Sequence, residues 1–178
     1  MMMTKINLLG ILTALLISIG ATTVQAETTM KWKEISPVVD VFVRKFPDRE
    51  GHVIGVYERR GVAILEDGTT AAFYTIGTFD VTMTAAGMQG IHGGRAQLIF
   101  KDGSEIFYQY GGDEYTEKDA KPPFLPRVTG TGHYTKGTGR FEGITGKLSY
   151  DGGYITPVND QTKGDAVIES VGHYSLAK

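Results

Sequence analysis

From position 52 onward the chain reads as β-structure, because runs rich in valine, isoleucine, threonine, phenylalanine and tyrosine are cut by glycine and aspartate. Val53 to Glu66 forms one long strand in this reading, and Asp67-Gly68 offers the positive-φ positions of a two-residue hairpin. Thr69 to Thr84 is the return strand. Ala85-Ala86-Gly87 turns the chain into Gln89 to Phe100, and Asp102-Gly103 makes a second tight hairpin into Ser104 to Tyr110. Three antiparallel connections in succession make a meander. Gly111 to Pro126, with Gly111-Gly112, Pro122-Pro123 and several charges, reads as a long exposed loop. Arg127 to Thr135 and Gly146 to Tyr150 are strands, Asp151 to Gly164 is a second loop, and Ala166 to Leu176 is the last strand. Ahead of all this, Glu27 to Glu50 mixes Trp32, Ile35 and a valine-rich run with Pro37 and Pro47, and is expected to begin with a short strand or turn leading into the body.

The sum is seven or eight strands with almost no helix. Strands of 12 to 16 residues exceed the usual five or six or so, and Gly55, Gly61, Gly77, Gly93 and Gly94 sit inside them. Interior glycines mark sharp coiling, and a meander of long coiled strands is best finished by closing on itself, which removes exposed edges. The fold class expected is therefore all-β, an eight-stranded antiparallel β-barrel whose interior is wide enough for side chains or one small ligand. A two-sheet sandwich is the alternative.

The first residues change the picture of where this domain works. Lys5 supplies a positive start, Leu8 to Ala21 is apolar, and Val24-Gln25-Ala26 places small residues where a signal peptidase reads, so cleavage is expected after Ala26. The apolar stretch is short of the roughly 20 residues needed to span a bilayer and carries Gly10, Thr13, Ser18 and Gly20. The layout is then a signal peptide over 1–26, an N-terminal extension over 27–51 and the barrel domain over 52–178. Removing the leader leaves 152 residues with 17 basic and 20 acidic groups. With no cysteine in 178 residues, disulfides and a lipoprotein anchor are excluded, and the profile fits a periplasmic or secreted protein. No basic run longer than Arg59-Arg60 exists to track phosphates, so nucleic acid is not an expected partner, nor is a membrane once the leader is gone.

Candidate chemistry is sparse. Histidines 52, 92, 133 and 173 show no metal-ligand spacing, so no metal is expected; no G-x-S-x-G elbow surrounds a serine, and Gly137-Thr138-Gly139 lacks the rest of a phosphate loop. The two Gly-His-Tyr triplets, 132–134 and 172–174, send His and Tyr to opposite faces, so one of each pair should point inward. On the long first strand Glu58 and Arg60 share one face, and Tyr57 and Arg59 the other. Charges in mid-strand ordinarily mark a solvated face, but a pair turned into a barrel could serve as an acid/base and an anion anchor. Arg95 and Gln97 likewise share a face, where an inward arginine would need a carboxylate or an anionic ligand. The candidate catalytic residues are accordingly Glu58, Arg60, Arg95 and His133, with Tyr74, Gln97 and Tyr110 as substrate-binding residues. Nine tyrosines give hydroxyls able to orient an enolate, epoxide or phenol.

One segment carries a resemblance. Gly130-Thr131-Gly132-His133-Tyr134-Thr135-Lys136 leads into Gly137-Thr138-Gly139-Arg140-Phe141-Glu142-Gly143-Ile144-Thr145-Gly146, and its core, G-T-G-R-F-x-G-x-x-G, resembles the glycine-rich signature of the allene oxide cyclase and dirigent superfamily. Gly61-Val62-Ala63 followed by Asp67-Gly68 agrees with that family's meander, and the likeness extends over roughly residues 52 to 177. Physically, the signature is a compact corner in which glycines take positive φ and Phe141 plugs the barrel end. The resemblance implies a calycin-like eight-stranded barrel, often trimeric, with a largely apolar lumen that steers a reactive small molecule without a cofactor. Three functions follow as alternatives: a cofactor-free cyclase, isomerase or coupling guide for a hydrophobic or aromatic substrate; a carrier; or a structural barrel with a filled lumen. The first requires a pocket holding a polar group of perturbed pKa, the second a pocket only, and the third neither.

Overall fold

The computed structural model describes residues 26–85, 87–117, 120, 125–157, 162 and 164–177. Nine strands follow in order: β1 (Thr28–Ser36), β2 (Val38–Lys45), β3 (His52–Leu65), β4 (Thr70–Thr84), β5 (Gly87–Phe100), β6 (Glu105–Thr116), β7 (Pro126–Gly137), β8 (Ile144–Tyr154) and β9 (Ala166–Leu176). From β3 to β9 each strand pairs antiparallel with the next, and β1 closes the ring by pairing with both β9 and β3. β1 and β2 are two halves of one wall strand. β1 runs along β3 from Trp32 opposite Leu65 to Ile35 opposite Val62, and β2 continues from Val38 opposite Arg59 to Lys45 opposite Val53, with one register shift after Val38. Pro37 marks the break, having no N–H to give, while its carbonyl still accepts from the Arg60 amide at 3.3 Å. The result is the closed eight-stranded antiparallel barrel expected from the strand pattern, rather than a sandwich.

Two boundaries differ from the sequence reading. Residues 27–51, expected as an extension ahead of the barrel, supply β1 and β2, because alternate residues Met30, Trp32, Glu34 and Ser36 are buried and the β9 ladder holds the whole of β1. The two long loops are shorter than expected, since β6 runs on to Thr116, β7 starts at Pro126 and β8 runs on to Tyr154. Gly111-Gly112 suggests a break, yet glycines 111 and 112, like 152 and 153, keep ladder partners in the barrel wall. The expected leader falls, apart from Ala26, outside the described residues.

The interior is graded along its axis. Toward the end bearing the 66–69 and 101–104 turns, Met30, Trp32, Phe73, Leu98, Phe100, Ile106 and Phe141 make an apolar core. The glycine-rich corner closes this end. Gly139, Gly143 and Gly146 have φ of 58°, 75° and 139°, and a single 3-10 turn, Gly139–Phe141, drops the Phe141 ring against Phe100 at 4.9 Å between centroids. Toward the opposite end the interior becomes polar. Here inward glycines seat tyrosine rings from the neighbouring strand: Tyr57 lies over its ladder partner Gly77, Tyr110 over Gly94 and Tyr150 over Gly130. A Cβ on Gly77 would stand 2.4 Å from the Tyr57 hydroxyl oxygen, and one on Gly130 2.4 Å from that of Tyr150. These glycines are spaces for aromatic rings, which is why long strands tolerate them.

Candidate functional site

The polar half of the lumen is assembled from inward-facing positions on eight strands. β1 contributes Glu34, β3 Tyr57 and Arg59, β4 Thr75, β5 His92, β6 Tyr108, Tyr110 and Glu114, β8 Tyr150 and Tyr154, and β9 Ser170, with Val128 of β7 among them. Glu34, Arg59, His92 and Glu114 are 5%, 6%, 8% and 8% exposed, so four ionisable side chains are held where water barely reaches. Burial of this kind is costly unless partners are supplied.

The partners form three groups. Glu34 Oε1 accepts from Trp32 Nε1 at 2.9 Å and from the Tyr108 hydroxyl at 2.7 Å. Arg59 donates from Nε at 3.1 Å and Nη2 at 2.6 Å to the hydroxyl oxygen of Ser36, and its guanidinium stands 5.7 Å from the Phe73 ring centroid. A third chain runs through hydroxyls: Thr75 donates to the Arg95 carbonyl at 2.9 Å, Tyr110 lies 2.8 Å from Thr75, and Tyr57 lies 2.8 Å from Tyr110. Each hydroxyl has one proton, so Thr75 must accept from Tyr110 and Tyr110 from Tyr57. The chain is thereby polarised from the cavity toward the wall.

Two groups are left incompletely satisfied. His92 Nε2 is 2.7 Å from the Tyr150 hydroxyl, but its Nδ1 has no hydrogen-bond partner among the described residues. Glu114 makes no hydrogen bond or ion pair among the described residues. Desolvation by burial pushes its carboxyl up to about 7, against a smaller opposing pull from Arg59. Burial, with Arg59 as a second cationic influence, brings His92 down to about 4. Glu34 is also raised by desolvation, offset in part by Arg59 and by the Tyr108 and Trp32 hydrogen bonds. At neutral pH the lumen therefore holds a neutral imidazole, a fixed cation and a carboxyl poised between its two forms, the condition a general acid/base needs.

The free space among these groups is about 30 Å³. A water needs roughly 10–15 Å³ by the same measure, so one or two fit, whereas a drug-sized ligand occupies about 300 Å³ or more. A ligand larger than water needs the lining side chains to move apart.

Of the expected site residues, only Tyr110 lies in this lumen. Glu58 and Arg60 are on the outer face of β3, where Arg60 Nε donates to Glu58 at 2.6 Å and the guanidinium covers the Tyr74 ring at 5.0 Å. Tyr74 is thus also outside. Arg95 and His133 are exposed, and Gln97 faces outward to donate to Glu105 at 3.1 Å. The face assignment is the correction: on β3 the inward set is Tyr57, Arg59 and Ala63, and the outward set is Ile54, Val56, Glu58, Arg60, Val62 and Ile64. In both Gly-His-Tyr triplets the tyrosine turns inward, leaving His133 and His173 exposed. Aliphatic residues on the outside and charged ones within inverted the usual hydrophobicity signal. Glu34 and Glu114 lie in stretches whose local pattern reads as an extension and a loop, so nothing in that pattern marks them. The available signal was steric: the inward face sets Gly against rings on neighbouring strands, as in Tyr57 with Gly77 and Tyr110 with Gly94. No group of three or more His, Asp or Glu residues able to hold a metal occurs among the described residues.

No protein-family model matches the chain, and no curated protein matches it. Solved structures similar to the chain include the following two. One is a nonspecific heme-binding cyclase catalysing a 4 + 2 cycloaddition during neoabyssomicin biosynthesis, at 14% identity and a TM-score of 0.42, covering 86% of this chain and 68% of that one. The other is the pterocarpan synthase dirigent protein GePTS1, at 14% identity and a TM-score of 0.39, covering 93% of this chain and 98% of that one.

Proposed function

We propose that this is an exported barrel that binds a small hydrophobic or aromatic molecule in the polar half of its lumen and guides a cofactor-free cyclisation or isomerisation. One observation carries the reading: Arg59, Glu34, His92 and Glu114 converge from four strands into the interior of a small barrel, with tyrosine hydroxyls between them. Side chains chosen only to fill a barrel would be apolar, as they are at its other end. In the proposed chemistry Glu114 takes a proton from one substrate atom and returns it to another, so no net charge or electron is transferred. Arg59 stabilises the oxygen on which negative charge gathers meanwhile. The rings seated over glycines exclude water and hold the reacting conformer.

A second reading, a barrel filled for stability alone, is favoured by the small free volume of about 30 Å³. The test that separates them is native mass spectrometry of the protein purified from its own host, with organic extraction, followed by turnover assays on fatty-acid epoxide and phenolic panels. The proposal expects a bound small molecule at one per chain and turnover with a kinetic pKa near 7 that Glu114→Gln abolishes without abolishing binding. A ligand-free mass that persists after soaking, with no turnover, establishes the filled barrel instead. The mass of the purified chain also tests export, since cleavage after Ala26 leaves 152 residues.

A further inference from the structure

Among the described residues, strand β2 is paired on one side only. β9 follows β1 as far as Ser36 opposite Ala166 and stops there, so residues 38–45 form a ladder with β3 and present their other edge to solvent. All residues of β2 after Val38 are exposed, including Val41 at 39%, Phe42 at 54% and Val43 at 44%. An exposed apolar edge of eight residues without proline or glycine is the feature folded proteins usually suppress, because its free N–H and C=O groups recruit another strand. Charges are the common means of suppression, and β2 carries three, Asp40, Arg44 and Lys45.

Their placement selects a partner rather than excluding one. Asp40 and Arg44 are two positions to either side of Phe42, and both lie on its face of the strand, since Asp40, Phe42 and Arg44 stand opposite Glu58, Val56 and Ile54 of β3. Neither makes an ion pair among the described residues; Arg44 lies over the Phe42 ring at 4.0 Å. If β2 meets a second copy antiparallel about Phe42, each Asp40 falls opposite the partner's Arg44, twice over. Val41 then falls opposite Val43 on the other face, and Phe42 meets its own counterpart on the axis. A parallel pairing in the same register would instead set Asp40 against Asp40 and Arg44 against Arg44. We propose that two copies of this chain dimerise edge to edge through β2, on a twofold axis at Phe42, joining the walls of two barrels into one continuous sheet. Such a contact is isologous and closes on itself, so it consumes the edge without propagating.

The test is sedimentation over a concentration range with the purified protein. The wild type is expected to be dimeric. Asp40→Arg or Arg44→Asp alone puts like charges opposite each other twice and is expected to weaken the dimer by about tenfold or more. The double variant Asp40→Arg/Arg44→Asp restores both pairs and with them the dimer, which a folding defect would not allow. Opposite residues of an antiparallel pair have Cα atoms about 4.5–5.5 Å apart, within disulfide reach, so Phe42→Cys in this cysteine-free chain is expected to give a covalent dimer without reductant. A monomer at all concentrations, the trimer expected from the family resemblance, or a dimer indifferent to both single reversals would overturn the proposal.

Discussion

Replacing Glu114 by glutamine isolates the energetic consequence of a carboxyl held out of water. In the unfolded chain a glutamate ionises near 4.5, and in the folded lumen Glu114 ionises at about 7. Between those values the unfolded chain has lost the proton and the folded chain keeps it, so stability falls as pH rises, by about 1.36 kcal/mol per pH unit. The fall starts near pH 4.5, is complete just above pH 7, and amounts to about 3 kcal/mol. Glutamine carries no proton to lose. Its free energy of unfolding, measured by urea titration at half-unit steps from pH 4 to 9, should therefore gain on the wild type by about 3 kcal/mol across that interval and run parallel outside it. In a domain of this length the gain corresponds to roughly 10 °C in Tm. A comparison of the two proteins is needed because His92 works in the opposite sense. Its pKa is lowered, so its contribution is present above pH 6.5 and lost as pH falls toward 4, leaving the wild type nearly flat where the two overlap. Glu34 and His52, whose pKa values are both raised, are common to both proteins and drop out of the difference. A constant offset between wild type and Glu114→Gln at every pH would refute the argument, showing that Glu114 reaches water.

The remaining expectations concern the groups around it. His92→Gln should gain on the wild type as pH falls from 6.5 to 4, again by about 3 kcal/mol, in the same urea titrations. Arg59→Met leaves Glu34 buried without its cation and should cost about 3–5 kcal/mol, most of it recovered in Arg59→Met/Glu34→Gln; denaturant midpoints decide this. Gly77→Ala sets a methyl against Tyr57 and should cost about 1–3 kcal/mol by overpacking, a cost that shrinks when Tyr57 is leucine, so a double-mutant cycle reads the coupling directly.

The course of the strands was written locally. Val53 to Glu66, the Asp67-Gly68 hairpin and Ala166 to Leu176 match β3, its turn and β9 within a residue, because period-two patterning and tight-turn chemistry act over a few neighbours. Closure followed from the length and coiling of those strands, and the corner that begins at G-T-G-R-F lies where Gly139, Gly143 and Gly146 take positive φ. The breaks expected at Gly111-Gly112 and at Asp151 did not occur. In both places a neighbouring strand already supplied the hydrogen-bond ladder, which outweighs glycine's weak local preference.

What the sequence determined by itself is thus an all-β meander of long strands, its principal turns, and the plug at one barrel end. Which face of each strand became the interior was decided only in three dimensions. The two faces of β3 differ little in polarity, one carrying Val56, Glu58, Arg60 and Val62, the other Tyr57, Arg59 and Ala63. The choice depends on which side chains fit one another across the closed ring, through contacts between residues distant in the chain: Tyr57 with Tyr110, 53 positions on, and Glu34 with Tyr108, 74 positions on. A buried carboxylate is tolerated only where such remote donors have been brought to it. The residues able to do chemistry in this protein are therefore a property of barrel closure, and no window along the chain contains them.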